Sequence, residues 1–212
     1  MSPDPAEPPR NLGVLFDATM GLKQHTSKLC QSLNYKIYNI GKIRKYINSD
    51  CAKTLVNSTV TAKLDYCNSL LYGIKGDYLD NLQKCQNSAA RVITRTPKRH
   101  HITPVLHGLH WLPVRQRILF KILLVMYKDL NGQAPIYITE LLKVKSSTHS
   151  HNLRSSHDTL LLQIPSHKTK VTLGDRAFAC AAPKVWNNLP LEIRKSSSLN
   201  IFKSRLKAHL FV

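Results

Sequence analysis

Apolar residues recur every three, four or seven positions over much of the chain, a pattern typical of amphipathic helices. The first such stripe consists of Leu22, Leu29, Leu33, Ile37, Ile40, Ile43 and Ile47. Gly41 lies within it, where it can bend or break the helix. Ser49 and Asp50 are candidate caps for a second helix, which the apolar pattern extends to Gly73.

Further helices are predicted along the rest of the chain. One covers Asp77–Thr94 and places Arg91 and Arg95, four residues apart, on a single face. Another covers Pro113–Gly132, since proline suits the first turn of a helix and glycine its end. Shorter helices are expected at residues 134–142, around residues 177–186 and after Ser198.

Strand-like runs are few. Asn11–Asp17 (NLGVLFD) has the length of one strand, but no neighbouring run forms a convincing hairpin with it, so we interpret it as an orphan strand. The runs TLLLQIP and KVTLGD, at residues 159–165 and 170–175, could pair with each other. The predicted fold is therefore mainly α: a helical bundle preceded by one orphan strand and followed by a small α+β C-terminal region.

Composition and pattern together give the expected domain boundaries. The first ten residues are rich in proline and predict a disordered tail, and residues 11–21 contain the orphan strand. Residues 22–142 form the helical domain. Residues 143–158 are polar and rich in serine, which predicts a linker, and residues 159–212 form the C-terminal region, which ends in a helix.

Charge changes this picture more than any other feature. The chain has 31 Lys and Arg against 12 Asp and Glu, a formal net charge of +19. Residues 18–49 contain no acid, and neither do residues 81–128, which carry nine Lys and Arg. Positive charges on such a surface repel one another unless a polyanion neutralises them. Nucleic acid is therefore the expected partner.

The cysteines and the termini bear on the cellular compartment. Five well-separated cysteines, an odd number, indicate reduced thiols in an intracellular protein, either nuclear or cytoplasmic. The first ten residues contain no apolar core of a signal peptide. No apolar run approaches the roughly 20 residues that span a bilayer. We therefore expect no membrane partner.

Catalytic and metal chemistry is poorly supported by the spacing of residues. His107 and His110, with Cys85, invite a zinc site, but no two cysteines lie within four residues and no HxxxH pair occurs. The chain also lacks DD, DxD and ExxE pairs, a GxSxG elbow and a glycine-rich phosphate loop. We expect no catalytic residue, no metal site and no cofactor in this chain.

Several blocks, taken in order, resemble the C-terminal end of LINE-type non-LTR retrotransposon reverse transcriptases of the jockey-like or chicken-repeat-like kind. They are NLGVLFD, KLDYCNSLLYG, LQKCQNSAARVITRTPKRHHITPVLHGLHWLPVRQRI and GDRAFACAAPKVWNNLPLEIRKSSSLNIF. The resemblance covers about residues 11–211. It implies that residues 11–21 are a remnant of the edge strand of the polymerase palm and that residues 22–142 are its thumb. The aspartates that bind Mg²⁺ in that family lie upstream, in a palm this sequence does not contain.

The resemblance implies a function in holding nucleic acid and no catalysis by this chain alone. A thumb lies along the template–primer duplex, whether RNA, DNA or an RNA–DNA hybrid, and its cations contact phosphates without reading sequence. Charge and helix phase select the candidate contacts, which are Arg91, Arg95, Lys98, Arg99, Arg115, Arg117 and Lys121.

Two alternative interpretations of the basic residues remain open. Trp111 and Leu112 form a hydrophobic staple before the Pro113 helix, in which case Arg115 and Arg117 are simply solvated. The basic helices could also form a protein-interaction module that binds an acidic protein and has no polymerase role.

Overall fold

The computed structural model describes residues 9–143, 160–165 and 172–211. These residues are mainly helical, which confirms the predicted fold class. The chain divides into two compact units, Met1–Ile118 and Leu119–Val212. This division comes earlier than the linker expected at residues 143–158, and most of that linker and of the proline-rich tail lies outside the described residues.

The first unit begins with a short hairpin. Strand β1 (Arg10–Asn11) pairs antiparallel with β2 (Val14–Leu15), so the prediction of an orphan strand was wrong. Leu12 and Gly13 connect them with φ values of 45° and 83°. Two positive φ values are what a two-residue turn of type I′ requires. A leucine in the first of these positions hides the hairpin, because the usual sequence signal is Asn-Gly or Asp-Gly.

The helices of the first unit are α1 (Lys23–Ile43), α2 (Ser49–Val56), α3 (Ala62–Asp65), α4 (Gly76–Thr94), α5 (Thr103–Gly108) and the start of α6 (Val114–Leu130). Helices α1 and α4 pack side by side in the same direction. Asn34 of α1 contacts Cys85 of α4, and Arg44, just after α1, contacts Val92 in the last turn of α4. Leu33 and Leu82 are fully buried in the core that these helices share.

A π-helical turn, Asn57–Thr61, separates α2 from α3. Buried residues in this segment follow one another every four positions, as Ala52, Val56, Val60 and Leu64. In a continuous α-helix each such step would turn the side chain by about 40° away from the previous one. The wider π turn offsets this drift and keeps these residues on one side. The predicted single helix to Gly73 was therefore wrong, and a 3₁₀ turn (Asn68–Leu71) follows α3.

The second unit contains the rest of α6 and the short helices α7 (Ile136–Thr139), α8 (Thr172–Arg176), α9 (Phe178–Asn187), α10 (Leu191–Arg194) and α11 (Leu199–Leu210). Phe202 lies at its centre, with its ring 4.2 Å from that of Tyr127 and 6.0 Å from that of Trp186. The Tyr127 hydroxyl donates to the Ser196 carbonyl at 2.8 Å, which satisfies its polar end inside the core.

The C-terminal region differs from the α+β arrangement that the sequence suggested. Of the run KVTLGD, the described residues 172–175 belong to α8, so the prediction of a strand there was wrong. The backbone of Leu162 instead forms two hydrogen bonds with the side chain of Asn187 on α9. Its N–H donates to Oδ1 of Asn187, and its carbonyl accepts from Nδ2, both at 2.9 Å. Across the described parts of both units, no helix is long and apolar enough to cross a bilayer.

Candidate nucleic-acid interface

The two acid-free runs of the sequence meet where α1 and α4 end. Arg44, the residue after α1, donates from Nε to the Val92 carbonyl at 2.9 Å and from Nη2 to the Ile93 carbonyl at 2.8 Å. Its Nη1 donates to the Ile47 carbonyl at 2.7 Å. Carbonyls in the last turn of a helix have no partner within that helix. Arg44 therefore caps α4 and ties its end to that of α1.

Arg95 makes the reciprocal contact. It follows the last residue of α4 and has a left-handed backbone, with φ of 58°. This conformation costs a residue other than glycine on the order of 1 kcal/mol. From it, Nη2 of Arg95 donates to the Arg44 carbonyl at 2.9 Å. The two arginines thus cross between the helix ends, each bonded to backbone oxygen.

The loop after α4 presents two further cations. Arg91, in the last turns of α4, donates from Nη1 to the Pro97 carbonyl and from Nη2 to the His100 carbonyl at 2.8 Å. These bonds hold both sides of the loop against the helix. Lys98 and Arg99 lie between Pro97 and His100, whose carbonyls accept these bonds, and both side chains are exposed. Arg91 is therefore best described as a positioning residue for Lys98 and Arg99.

Exposed tyrosines accompany lysines at the end of α1. The ammonium nitrogen of Lys42 lies 4.5 Å from the ring centre of Tyr38, and that of Lys45 lies 4.7 Å from that of Tyr46. Tyr46 is 76% exposed and Tyr38 is 61% exposed. Aromatic faces beside cations suit the stacking of nucleic-acid bases next to bound phosphates. These tyrosines and their lysines were not among the contact residues predicted from the sequence.

We call the set of residues at this place the cationic cluster: Lys42, Arg44, Lys45, Arg91, Arg95, Lys98 and Arg99. Within the described part of the chain, none of them forms an ion pair with a carboxylate. The arginines bond to carbonyl oxygens, which are neutral, so their positive charges remain uncompensated. The nearest acid along the chain is Asp50, at the start of α2. Uncompensated charges of one sign in one part of a fold attract a polyanion.

The other predicted contacts lie elsewhere. Arg115 pairs with Asp80 at 3.0 Å, and Asp80 precedes Arg95 on α4 by about 22 Å of helix. Arg117 bonds to both carboxylate oxygens of Asp65, at 2.6 and 2.8 Å. Lys121 is exposed on the part of α6 that belongs to the second unit. The structure thus gathers four of the seven predicted residues and gives Arg115 and Arg117 carboxylate partners.

Arg117 has a structural role in the first unit. Its side chain is only 13% exposed, its Nε donates to the Leu112 carbonyl at 2.9 Å, and its guanidinium lies 6.0 Å from the ring centre of Trp111. Leu112 and Trp111 are buried, as a hydrophobic staple requires. The same Leu112 carbonyl accepts from buried Gln86 of α4 at 2.9 Å. Arg117 therefore helps to fix the start of α6.

We expect Asp65→Asn to lower the free energy of unfolding by about 2 kcal/mol, because a mostly buried guanidinium would lose its carboxylate. The matched control is Asp80→Asn, which removes the exposed partner of Arg115 and should cost less than about 0.5 kcal/mol. Urea unfolding of both variants measures the two values. Equal losses for the two variants would contradict the structural role of the Asp65–Arg117 pair.

The histidines of the loop and of α5 do not assemble a metal site with Cys85. Among the described residues, no group of three or more His, Cys, Asp or Glu side chains could hold a metal ion. The Cys85 sulfur lies 3.4 Å from Oδ1 of Asn34, so it faces α1. His110 has a left-handed backbone with φ of 56° and ends the turn that follows α5.

Comparisons with known proteins gave no match to a family model, a curated protein or a solved structure. The function is therefore inferred from this chain's own residues.

Proposed function

We propose that this chain is a segment of a retrotransposon RNA-directed DNA polymerase without its catalytic palm, and that the cationic cluster binds the backbone of a template–primer duplex. The blocks quoted above support the family, since they resemble LINE-type reverse transcriptases over about residues 11–211. The predominance of helix agrees with a thumb-like role. Polymerisation would need the Mg²⁺-binding aspartates of the absent palm, so the chain alone is proposed to bind without catalysing.

The observation that carries the binding proposal is the meeting of two acid-free segments at one place. Arg44 and Arg95 hold the ends of α1 and α4 together through carbonyls and so keep their charges available. Lys98 and Arg99 extend from the loop that Arg91 holds. Cations fixed in this way contact phosphates and not base edges, so binding would be insensitive to sequence.

A salt titration tests this proposal. Fluorescence anisotropy of a labelled RNA–DNA hybrid should give an affinity that falls linearly on a double-logarithmic plot against salt. With about five phosphate contacts, the expected slope is about −4, and affinity falls about a hundredfold or more between roughly 50 and 200 mM salt. Duplexes of unrelated sequence should bind equally well. Undetectable binding at the lower salt concentration would overturn the proposal.

The second candidate is a module that binds an acidic protein. The exposed Tyr38 and Tyr46 beside lysines favour it as well, because tyrosine is enriched at protein interfaces. Competition separates the two candidates. Displacement of the hybrid requires excess polyglutamate if phosphate is the preferred ligand, whereas displacement at equimolar polyglutamate would favour the protein partner.

A further inference from the structure

A groove of about 520 Å³ runs between α1 and α4 in the first unit. Its lining includes no Asp or Glu among the described residues. On the α1 side it is formed by Lys23, Thr26, Ser27, Cys30, Gln31 and Asn34. Cys85 of α4 lines it as well, so two thiols from different helices lie in one solvent-connected cavity.

Cys85 of α4 lies against the backbone of Cys30 on α1. The Cys85 sulfur lies 4.0 Å from the carbonyl oxygen of Cys30 and 3.4 Å from Oδ1 of Asn34. The neighbouring Cys85 thiol lowers the pKa of Cys30, and the pKa of Cys85 is raised by Cys30 and by burial. Cys30 is half-buried and Cys85 is buried. Cys30 is therefore the more accessible and more nucleophilic member of the pair.

We propose that Cys30 and Cys85 are a peroxide-sensitive dithiol that closes to an intramolecular disulfide between α1 and α4. In the first step the Cys30 thiolate attacks one oxygen of hydrogen peroxide, which breaks the O–O bond and gives a sulfenic acid and hydroxide. In the second step the Cys85 sulfur attacks the Cys30 sulfur, the S–O bond breaks, and water leaves with the proton of the Cys85 thiol. Peroxide is the oxidant, and the net products are one disulfide and two waters.

The remaining cysteines do not share this arrangement. Cys51 is exposed on α2, Cys67 precedes the 3₁₀ turn, and Cys180 is buried in the second unit. The Cys67 thiol raises the pKa of the neighbouring Tyr66 phenol. The structure thus distinguishes one pair of thiols, one accessible and one resolving, from three cysteines without this geometry.

Peptide mapping of the peroxide-treated full-length protein tests the proposal. After alkylation of free thiols and digestion with trypsin, the expected product is peptide Leu29–Lys36 joined to peptide Cys85–Arg91. The linkage should disappear on reduction. It should also raise the melting temperature of the native protein by several degrees, because it closes a long loop (on the order of 50 residues) in the unfolded chain.

Two variants make the order of the steps visible. Cys85→Ser should stop at the sulfenic acid, which dimedone labels on Cys30, and Cys30→Ser should leave Cys85 reduced under the same treatment. Circular dichroism checks that both variants are folded, and Cys51→Ser is the control that should leave the linkage unchanged. Predominant disulfides to Cys51 or Cys67 in the native wild-type protein would overturn the proposal. So would the absence of any Cys30 product after peroxide treatment.

Discussion

Replacing Lys98 and Arg99 together with glutamine should weaken binding of an RNA–DNA hybrid about tenfold or more at about 0.1 M salt. Both side chains are exposed on the loop that Arg91 holds against α4, and neither has a carboxylate partner within the described residues. The affinity should fall because binding of the variant releases fewer counterions from the nucleic acid. The slope of affinity against salt should therefore become shallower by about 2, one unit for each phosphate contact removed.

The matched control is the double variant Lys23→Gln and Lys75→Gln. It removes the same charge from the exposed N-terminal ends of α1 and α4. That position is about 30 Å from the cationic cluster, given the length of the two helices. The control should retain most of the affinity and nearly the full salt slope. Equal weakening by the two double variants would mean that net charge, and not the cluster, determines binding.

Replacing Arg44 with methionine should lower the free energy of unfolding of the first unit by about 3 kcal/mol. The guanidinium of Arg44 supplies donors to the carbonyls of Ile47, Val92 and Ile93, and methionine supplies none. The variant should also lose the fixed separation between the ends of α1 and α4. We therefore expect weaker binding of the hybrid than the removal of one charge explains.

Lys45→Met is the control for this prediction, because it removes the same charge one residue later from a side chain that lies over Tyr46. It should change stability by less than about 0.5 kcal/mol. Trp111 is in the first unit and Trp186 in the second, so a Trp186→Phe background reports unfolding of the first unit by fluorescence. Similar midpoints for Arg44→Met and Lys45→Met would refute the capping role of Arg44.

Local patterns predicted two of the three longest helices well, whereas the apolar stripe of α1 ran on to Ile47, past the end of that helix at Ile43. The apolar stripes and their caps placed α4 and α6 within one or two residues of their observed bounds. The hairpin was missed because its turn carries Leu12 where a polar residue is the usual signal. The helix α5 was missed because it is short and follows a loop rich in histidine and arginine. These failures concern turns and short elements, in which tertiary contacts outweigh propensity.

Only part of the candidate site could be predicted from the sequence, because packing between distant segments brings its residues together. Asp65 and Asp80, the partners of Arg117 and Arg115, lie 52 and 35 residues away along the chain. No local pattern links such residues. Arg44 contributes to the cluster for the same reason, since its partners on α4 are 48 and 49 residues distant. The one usable signal was the pair of acid-free runs, which the fold brings together.

The π-helical turn at Asn57–Thr61 also determines the position of Asp65. A π turn takes up one residue more than an α turn, so if the same residues continued as an unbroken α-helix, everything after the turn would be rotated by about 100° about the helix axis. Leu64 would leave the core, and the Asp65 carboxylate would turn away from Arg117. A one-residue insertion in this stretch is therefore expected to disrupt the contact between Asp65 and Arg117, whereas a one-residue deletion that turns the π turn into an α turn is expected to preserve it.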